Sequence, residues 1–250
     1  MPCGCPLTRW RGWLLAATAE AATVDTADVA DTEEGARVRA ADLATGAATG
    51  PRTDTCGIVL AGGRSLRFGR DKLSASLGAR PLLILAVEAV AGICEEVVVT
   101  VAAGYRLPLL PPNARAVIDP APYRGPLTGL LSGAMATRRG RLLVVGGDMP
   151  TLVPDVLLQL LDGLSGAHDA AMLGLGPNDD PQPLPCALRR EALLARGPDQ
   201  ASVEGRSLRW LLGSLDGVAV PGSVWRRVDP KGLTLRDVDE PGDLADEPSA

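Results

Sequence analysis

From Cys56 onward, short runs of aliphatic residues alternate with stretches whose apolar positions recur every three or four residues. The runs predict strands at Gly57–Ala61, Glu96–Ala102, Ala116–Ile118, Leu142–Val145, Ala170–Leu173 and Pro185–Leu188. The helical spacing predicts helices at Leu82–Val90, Leu127–Thr137 and Val153–Leu161. The strands are unbroken Val, Ile and Leu rather than alternating, as expected where both faces of a parallel sheet are covered. The fold class is therefore α/β, with a single doubly wound, mostly parallel sheet of Rossmann-like form. Such sheets bind ligands at the carboxyl ends of their strands, where helices begin and backbone N–H groups point outward.

Residues 1–55 break this pattern. They are rich in Ala, Thr, Asp and Glu and show no sustained periodicity, which reads as a disordered or weakly helical extension. A domain over 56–245 and a short tail over 246–250 complete the expected organisation. The start, Arg9-Trp10-Arg11-Gly12-Trp13-Leu14-Leu15-Ala16-Ala17, has the basic-then-apolar order of an export signal, but its apolar run ends by Glu20. It reads as a tail or a mis-assigned start, and it falls short of the roughly 20 apolar residues that cross a bilayer.

A hydrophobic content of 46% over 250 residues suffices for one buried domain. The net charge of −5, with arginines interspersed among acids, and an aromatic content of 3% argue against a nucleic-acid surface. The cysteines, at positions 3, 5, 56, 94 and 186, form neither a zinc spacing nor a disulfide framework and suit a cytoplasmic setting. Cys3 and Cys5 read as incidental thiols. His168 is the single histidine, so a His-cluster metal site is excluded, and it reads as a surface residue before a strand.

Candidate chemistry begins where the first aliphatic run ends. Leu60-Ala61-Gly62-Gly63 turns into a segment carrying Arg64, Arg67 and Lys72, and Lys72 is one of only two lysines among 25 basic residues. Glycines let the backbone bend and present N–H groups to an anion, and the cations would hold a polyphosphate. Alone, Gly-Gly after a strand is also an ordinary turn. The segment lacks both the Gly-x-x-x-x-Gly-Lys-Ser/Thr and the Gly-x-Gly-x-x-Gly patterns. Asp148, in Gly146-Gly147-Asp148-Met149-Pro150, reads as a magnesium ligand, since hard divalent ions prefer carboxylate oxygen, or else as a helix cap. Asp119 also ends a strand, before Pro120, where a turn aspartate is common.

Read together, Leu60-Ala61-Gly62-Gly63-x-x-x-Arg67-Phe68-Gly69-x-Asp71-Lys72 resembles the nucleotidyltransferases that share the Leu-Ala-Gly-Gly-x-x-x-Arg-Met-Gly-x-Asp-Lys pattern, above all the molybdenum cofactor guanylyltransferases. Phe68 replaces the usual methionine, and Gly125-Pro126-Leu127-Thr128-Gly129 carries Thr128 for alanine. The resemblance implies a Mg2+-dependent transfer of GMP from GTP to molybdenum-molybdopterin, with Lys72, Arg67 and Asp148 catalytic and Asp148 binding the metal. It implies nucleotide contacts from Leu60, Ala61, Gly62, Gly63, Lys72, Asp119, Gly125, Pro126 and Asp148. Looser matches place Gln182, Pro183, Asp237 and Asp239 at the acceptor, and an acidic helix cap is the structural alternative for the last two. A molybdoenzyme or cofactor-delivery protein is an expected partner, while nucleic acid and membrane are not. Two rivals stay open: a cytidylyltransferase or other nucleotidyltransferase with a phosphorylated small acceptor, and a non-catalytic cofactor-binding protein. The cytidylyl branch reads Leu-Ala-Ala-Gly, against Gly62-Gly63 here.

Overall fold

The computed structural model of the chain describes residues 8–10, 52–62, 72–120, 125–196, 206–238 and 243. The first long aliphatic run becomes β2 (Arg52–Ala61), preceded by a short strand β1 (Thr8–Trp10). Along β2 the side chains point alternately to two different cores: Val59 and Ala61 join one, Cys56 and Ile58 the other. Both faces are dry, so nothing in this strand favours a polar alternation.

A two-residue pair, β3 (Ser76–Leu77) and β4 (Arg80–Pro81), leads into α1 (Leu82–Ala91), then β5 (Cys94–Val101) and β6 (Ala114–Ile118). Next come α2 (Pro126–Ala136), β7 (Arg141–Gly146), α3 (Pro154–Gly163), β8 (Ala170–Leu175) and β9 (Asp180–Arg189). The chain continues through α4 (Arg190–Arg196), α5 (Leu208–Gly213), β10 (Gly217–Val220) and α6 (Gly222–Trp225). Among the described residues one sheet runs β1-β10-β8-β9-β7-β2-β5-β6. Leucines and valines of α1 and α3 and the indole of Trp225 in α6 cover one face, and α2, α4 and α5 cover the other. This is the doubly wound α/β arrangement that the pattern predicts.

The centre, β7-β2-β5-β6, is parallel, as is β10 with β8. The departures are β9, antiparallel to both β7 and β8, and β1, antiparallel to β10 at the sheet's edge. The predicted strand at Pro185–Leu188 is only the inner half of β9. Its outer half carries Pro181 and Pro183, which have no N–H to give to a ladder, and the register jumps from Met172↔Cys186 to Leu173↔Gln182. β10 escaped the sequence pattern because its four residues, Gly217-Val218-Ala219-Val220, follow Asp216 and look like the exit of a turn. β1 replaces the helical or disordered character expected at residues 8–10, and β2 starts at Arg52, upstream of the apolar run.

Close packing explains Gly57. A Cβ built there would lie 2.0 Å from Val90 Cγ1, so α1 can seat this tightly on β2 only because residue 57 has no side chain. That contact sets how α1, and the segment just before it, lies over the sheet.

Candidate active site

From β2 the chain winds to one side through α1, β5 and β6, and α2 then carries it back to β7 on the other side of β2. This reversal opens a crevice at the carboxyl ends of the central strands, the usual ligand position in open α/β sheets. Gly147 N–H donates to the Leu60 carbonyl at 3.0 Å, so the turn after β7 is tied to the last residues of β2.

Asp148 follows immediately. A Cβ on Gly146 would stand 2.4 Å from Asp148 Oδ1, so the carboxylate folds back over Gly146 and a side chain there would displace it. α3 starts only at Pro154, with Val153 at its N-cap position, so Asp148 is not a helix cap. Its Oδ2 lies 2.9 Å from Lys72 Nζ. The Lys72 side chain is 9% exposed and that of Asp148 33%, so the ammonium is sunk into the protein while the carboxylate keeps an open side. Taking a lysine this far out of water is costly without an opposite charge at contact distance, and Asp148 supplies one. Lys72 itself belongs to a one-turn 3-10 helix, Lys72–Ser74, whose Leu73 is anchored in the core.

Asp119 follows β6 and is 3% exposed. Its N–H donates to Val101 O at 2.8 Å, which extends the β5–β6 ladder by one step. Thr128 Oγ1 lies 2.9 Å from Asp119 Oδ2 and 3.0 Å from the Gly125 carbonyl, so the hydroxyl faces both acceptors at the start of α2. The departure from the Gly-Pro-Leu-Ala-Gly pattern thus gives the buried carboxylate a donor that alanine could not offer. Gly125 and Pro126 are exposed at the same helix start.

Leu60 and Ala61 are the last residues of β2 and face the two cores. Gly62 corrects the first expectation for the loop: its φ is not positive, and a Cβ there would meet no atom of the described residues within 4 Å. It does not make a left-handed turn. Gly63, Arg67 and Asp239 lie outside the described residues. Gln182 and Pro183 stand on the outer half of β9, at the same edge of the sheet, with Gln182 Nε2 donating to Asp180 O at 3.2 Å. Asp237 is exposed and follows a 3-10 turn, Leu233–Leu235; the segment that an acidic cap would serve lies, residue 243 apart, outside the described residues. The neighbouring Val238 donates its N–H to the Asp148 carbonyl at 3.0 Å, a contact that no local sequence pattern signals.

No thiol among the described residues is poised as a nucleophile. Burial pushes the Cys56 thiol up to about 11 and that of Cys186 up to about 12, and it raises Cys94 further still. His168 lies at the amino end of β8, the opposite edge from the crevice, half-buried rather than on the open surface. No helix among the described residues is long and apolar enough to cross a membrane.

A doubly wound sheet with a lysine and strand-end aspartates around its switch point is an arrangement that can hold a nucleotide's phosphates. A model of the MobA-like NTP transferase domain matches residues 57–217. A probable molybdenum cofactor guanylyltransferase of Chloroflexus aggregans is 34% identical over 199 residues, 75% of this chain and 90% of the relative. A protein of the same name from Deinococcus radiodurans is 31% identical over 194 residues, covering 75% and 91% of the two chains. The crystal structure of molybdopterin-guanine dinucleotide biosynthesis protein A from Archaeoglobus fulgidus shares the fold, with a TM-score of 0.60 at 22% identity over 76% of this chain and 95% of that one. The chain belongs to the MobA-like NTP transferase domain family.

Proposed function

We propose that the protein transfers GMP from GTP to molybdenum-molybdopterin, giving molybdopterin guanine dinucleotide and pyrophosphate. The observation that carries this reading is the Lys72–Asp148 pair at 2.9 Å, a buried cation and a half-open carboxylate facing each other at the carboxyl edge of the sheet. A protein that only held a pterin would have no need of both charges in one place.

The donor set fits Mg2+. Asp148 offers a hard carboxylate oxygen that already accepts a cation, the Lys72 ammonium. Among the described residues there is no cluster of three or more metal-binding side chains, which suits an ion that keeps its waters and takes phosphate oxygens as ligands. Bound there, Mg2+ would neutralise charge on the α-phosphate oxygens.

In the reaction an oxygen of the molybdopterin phosphate forms a new bond to the α-phosphorus of GTP. The α–β bridging bond breaks, and pyrophosphate leaves with its electron pair. No protein nucleophile is needed, so the chain acts by alignment and charge. Lys72 leaves Asp148 for the β- and γ-phosphates, and Arg67 with the N–H groups of Gly62 and Gly63 shares that load. Asp119, held by Thr128, Gly125 and Pro126 bound the nucleoside side, while Gln182, Pro183, Asp237 and Asp239 face the acceptor. Guanine is favoured over cytosine by Gly62, where an alanine would add a methyl that meets no atom of the described residues within 4 Å and would compete with the larger base for space.

The test offers full-length protein, Mg2+ and molybdenum cofactor each of GTP, CTP, ATP and UTP separately, with products read by mass spectrometry. The expected product is the guanine dinucleotide alone. A cytosine dinucleotide would move the enzyme to the other branch, and GTP binding without any dinucleotide would overturn the acceptor.

A further inference from the structure

Lys72 lies ten residues beyond Gly62, so the strand ladder that places Asp148 does not by itself place its partner. A separate element bridges the two. After α6, the buried carboxylate of Asp229 accepts the N–H groups of Leu233 and Thr234, each at 2.8 Å, and turns the chain back toward the crevice. The returning segment then runs alongside the stretch that follows Asp148. Thr151 Oγ1 donates to Leu233 O at 2.8 Å, Val153 N–H donates to Thr234 Oγ1 at 3.1 Å, and Val238 N–H donates to Asp148 O at 3.0 Å.

Val238 also reaches the other partner. Its side chain is fully buried in a small cluster with Ala75 and Leu82, apart from the two main cores. Ala75 N–H donates to the Lys72 carbonyl at 3.0 Å, and Leu82 N–H donates to the Ala75 carbonyl at 2.9 Å. One residue therefore bonds the backbone of Asp148 and packs on the turn that carries Lys72.

We infer that Val238 is a positioning residue: it sets the separation and alignment of Lys72 and Asp148 without touching substrate. This rests on the proposed role of that pair. The backbone bond survives truncation to alanine, whereas the wedge between Ala75 and Leu82 does not. Val238→Ala thus frees the Lys72 turn relative to Asp148. Misalignment of groups that act together in the transition state costs turnover more than ground-state binding.

The experiment uses full-length Val238→Ala, Val238→Ile and, as a stability control, Leu211→Ala in the core on the other face of the sheet. The expected result for Val238→Ala is kcat lower by about tenfold with KM for the nucleotide within about twofold, and rescue by Val238→Ile. Leu211→Ala, brought to a comparable loss of Tm, should keep kcat within about twofold of wild type. Hydrogen exchange should accelerate in Val238→Ala at both residues 72–82 and residues 146–153. Unchanged kcat in Val238→Ala, or an equal fall in Leu211→Ala, would overturn the inference. Were wild-type protein to make no dinucleotide, the proposed reaction would fail and the exchange data would decide alone. Acceleration in both segments then supports the strap, and acceleration in one or neither rejects it.

Discussion

Asp148→Ala is expected to lower dinucleotide formation by about 10³-fold or more, because it removes the carboxylate that would hold the metal against the α-phosphate. The same change withdraws a negative charge from Lys72, whose side chain is only 9% exposed, so the free ammonium would be drawn toward other acceptors. Asp148→Asn separates the two effects. It keeps an oxygen of similar placement for the ammonium while removing the charge that a divalent ion requires. If the metal role is right, Asn fails nearly as badly as Ala. Single-turnover product formation and Mn2+ binding followed by electron paramagnetic resonance provide the check, with both variants expected to lose the bound-ion signal. Near wild-type turnover of Asp148→Ala with magnesium would remove Asp148 from the metal site.

Lys72→Ala should behave differently. It removes the cation proposed for the leaving pyrophosphate, so kcat/KM should fall by about 10²-fold and nucleotide affinity should weaken with it. Yet it leaves the Asp148 carboxylate in place and relieves it of a competing positive charge at 2.9 Å. Mn2+ binding to the nucleotide-free variant should therefore be as tight as in wild type or tighter. Opposite metal responses from two residues in one ion pair are hard to obtain from general destabilisation. Because the residues act as a unit, the double variant should fall little further than Asp148→Ala alone. Equal loss of Mn2+ binding in both single variants would show that the pair is structural.

The parts of the fold that could be read from the sequence are those where burial alone decides. β2, β5 and β7 are covered on both faces, so their unbroken aliphatic runs translate directly into central parallel strands. The outer half of β9 resisted because Pro181 and Pro183 demote it as a strand, while the structure uses them at a register jump beside β8. β10 resisted because a four-residue strand carries almost no periodic signal. In the site, Asp148 was legible because strand, Gly-Gly and acid follow one another in the chain. Its contact with Lys72 was not, since it joins residues 76 positions apart through a loop that no local pattern constrains. Thr128 was visible only as a departure from a motif, and Val238 drew no reading at all. What they do depends on Asp119 Oδ2 and on the Asp148 carbonyl, which only the folded chain brings to them.

The central claim is that the bond broken lies between the α- and β-phosphates, and the measurement that tests it most directly follows radiolabel from GTP in one reaction. Two samples, labelled at the α- or the γ-phosphate, are incubated with full-length protein, Mg2+ and molybdenum cofactor. The account predicts that the α-label enters the dinucleotide and the γ-label leaves as pyrophosphate. Transfer of the γ-label to the acceptor, or its release as inorganic phosphate with GDP left behind, would contradict nucleotidyl transfer at this site.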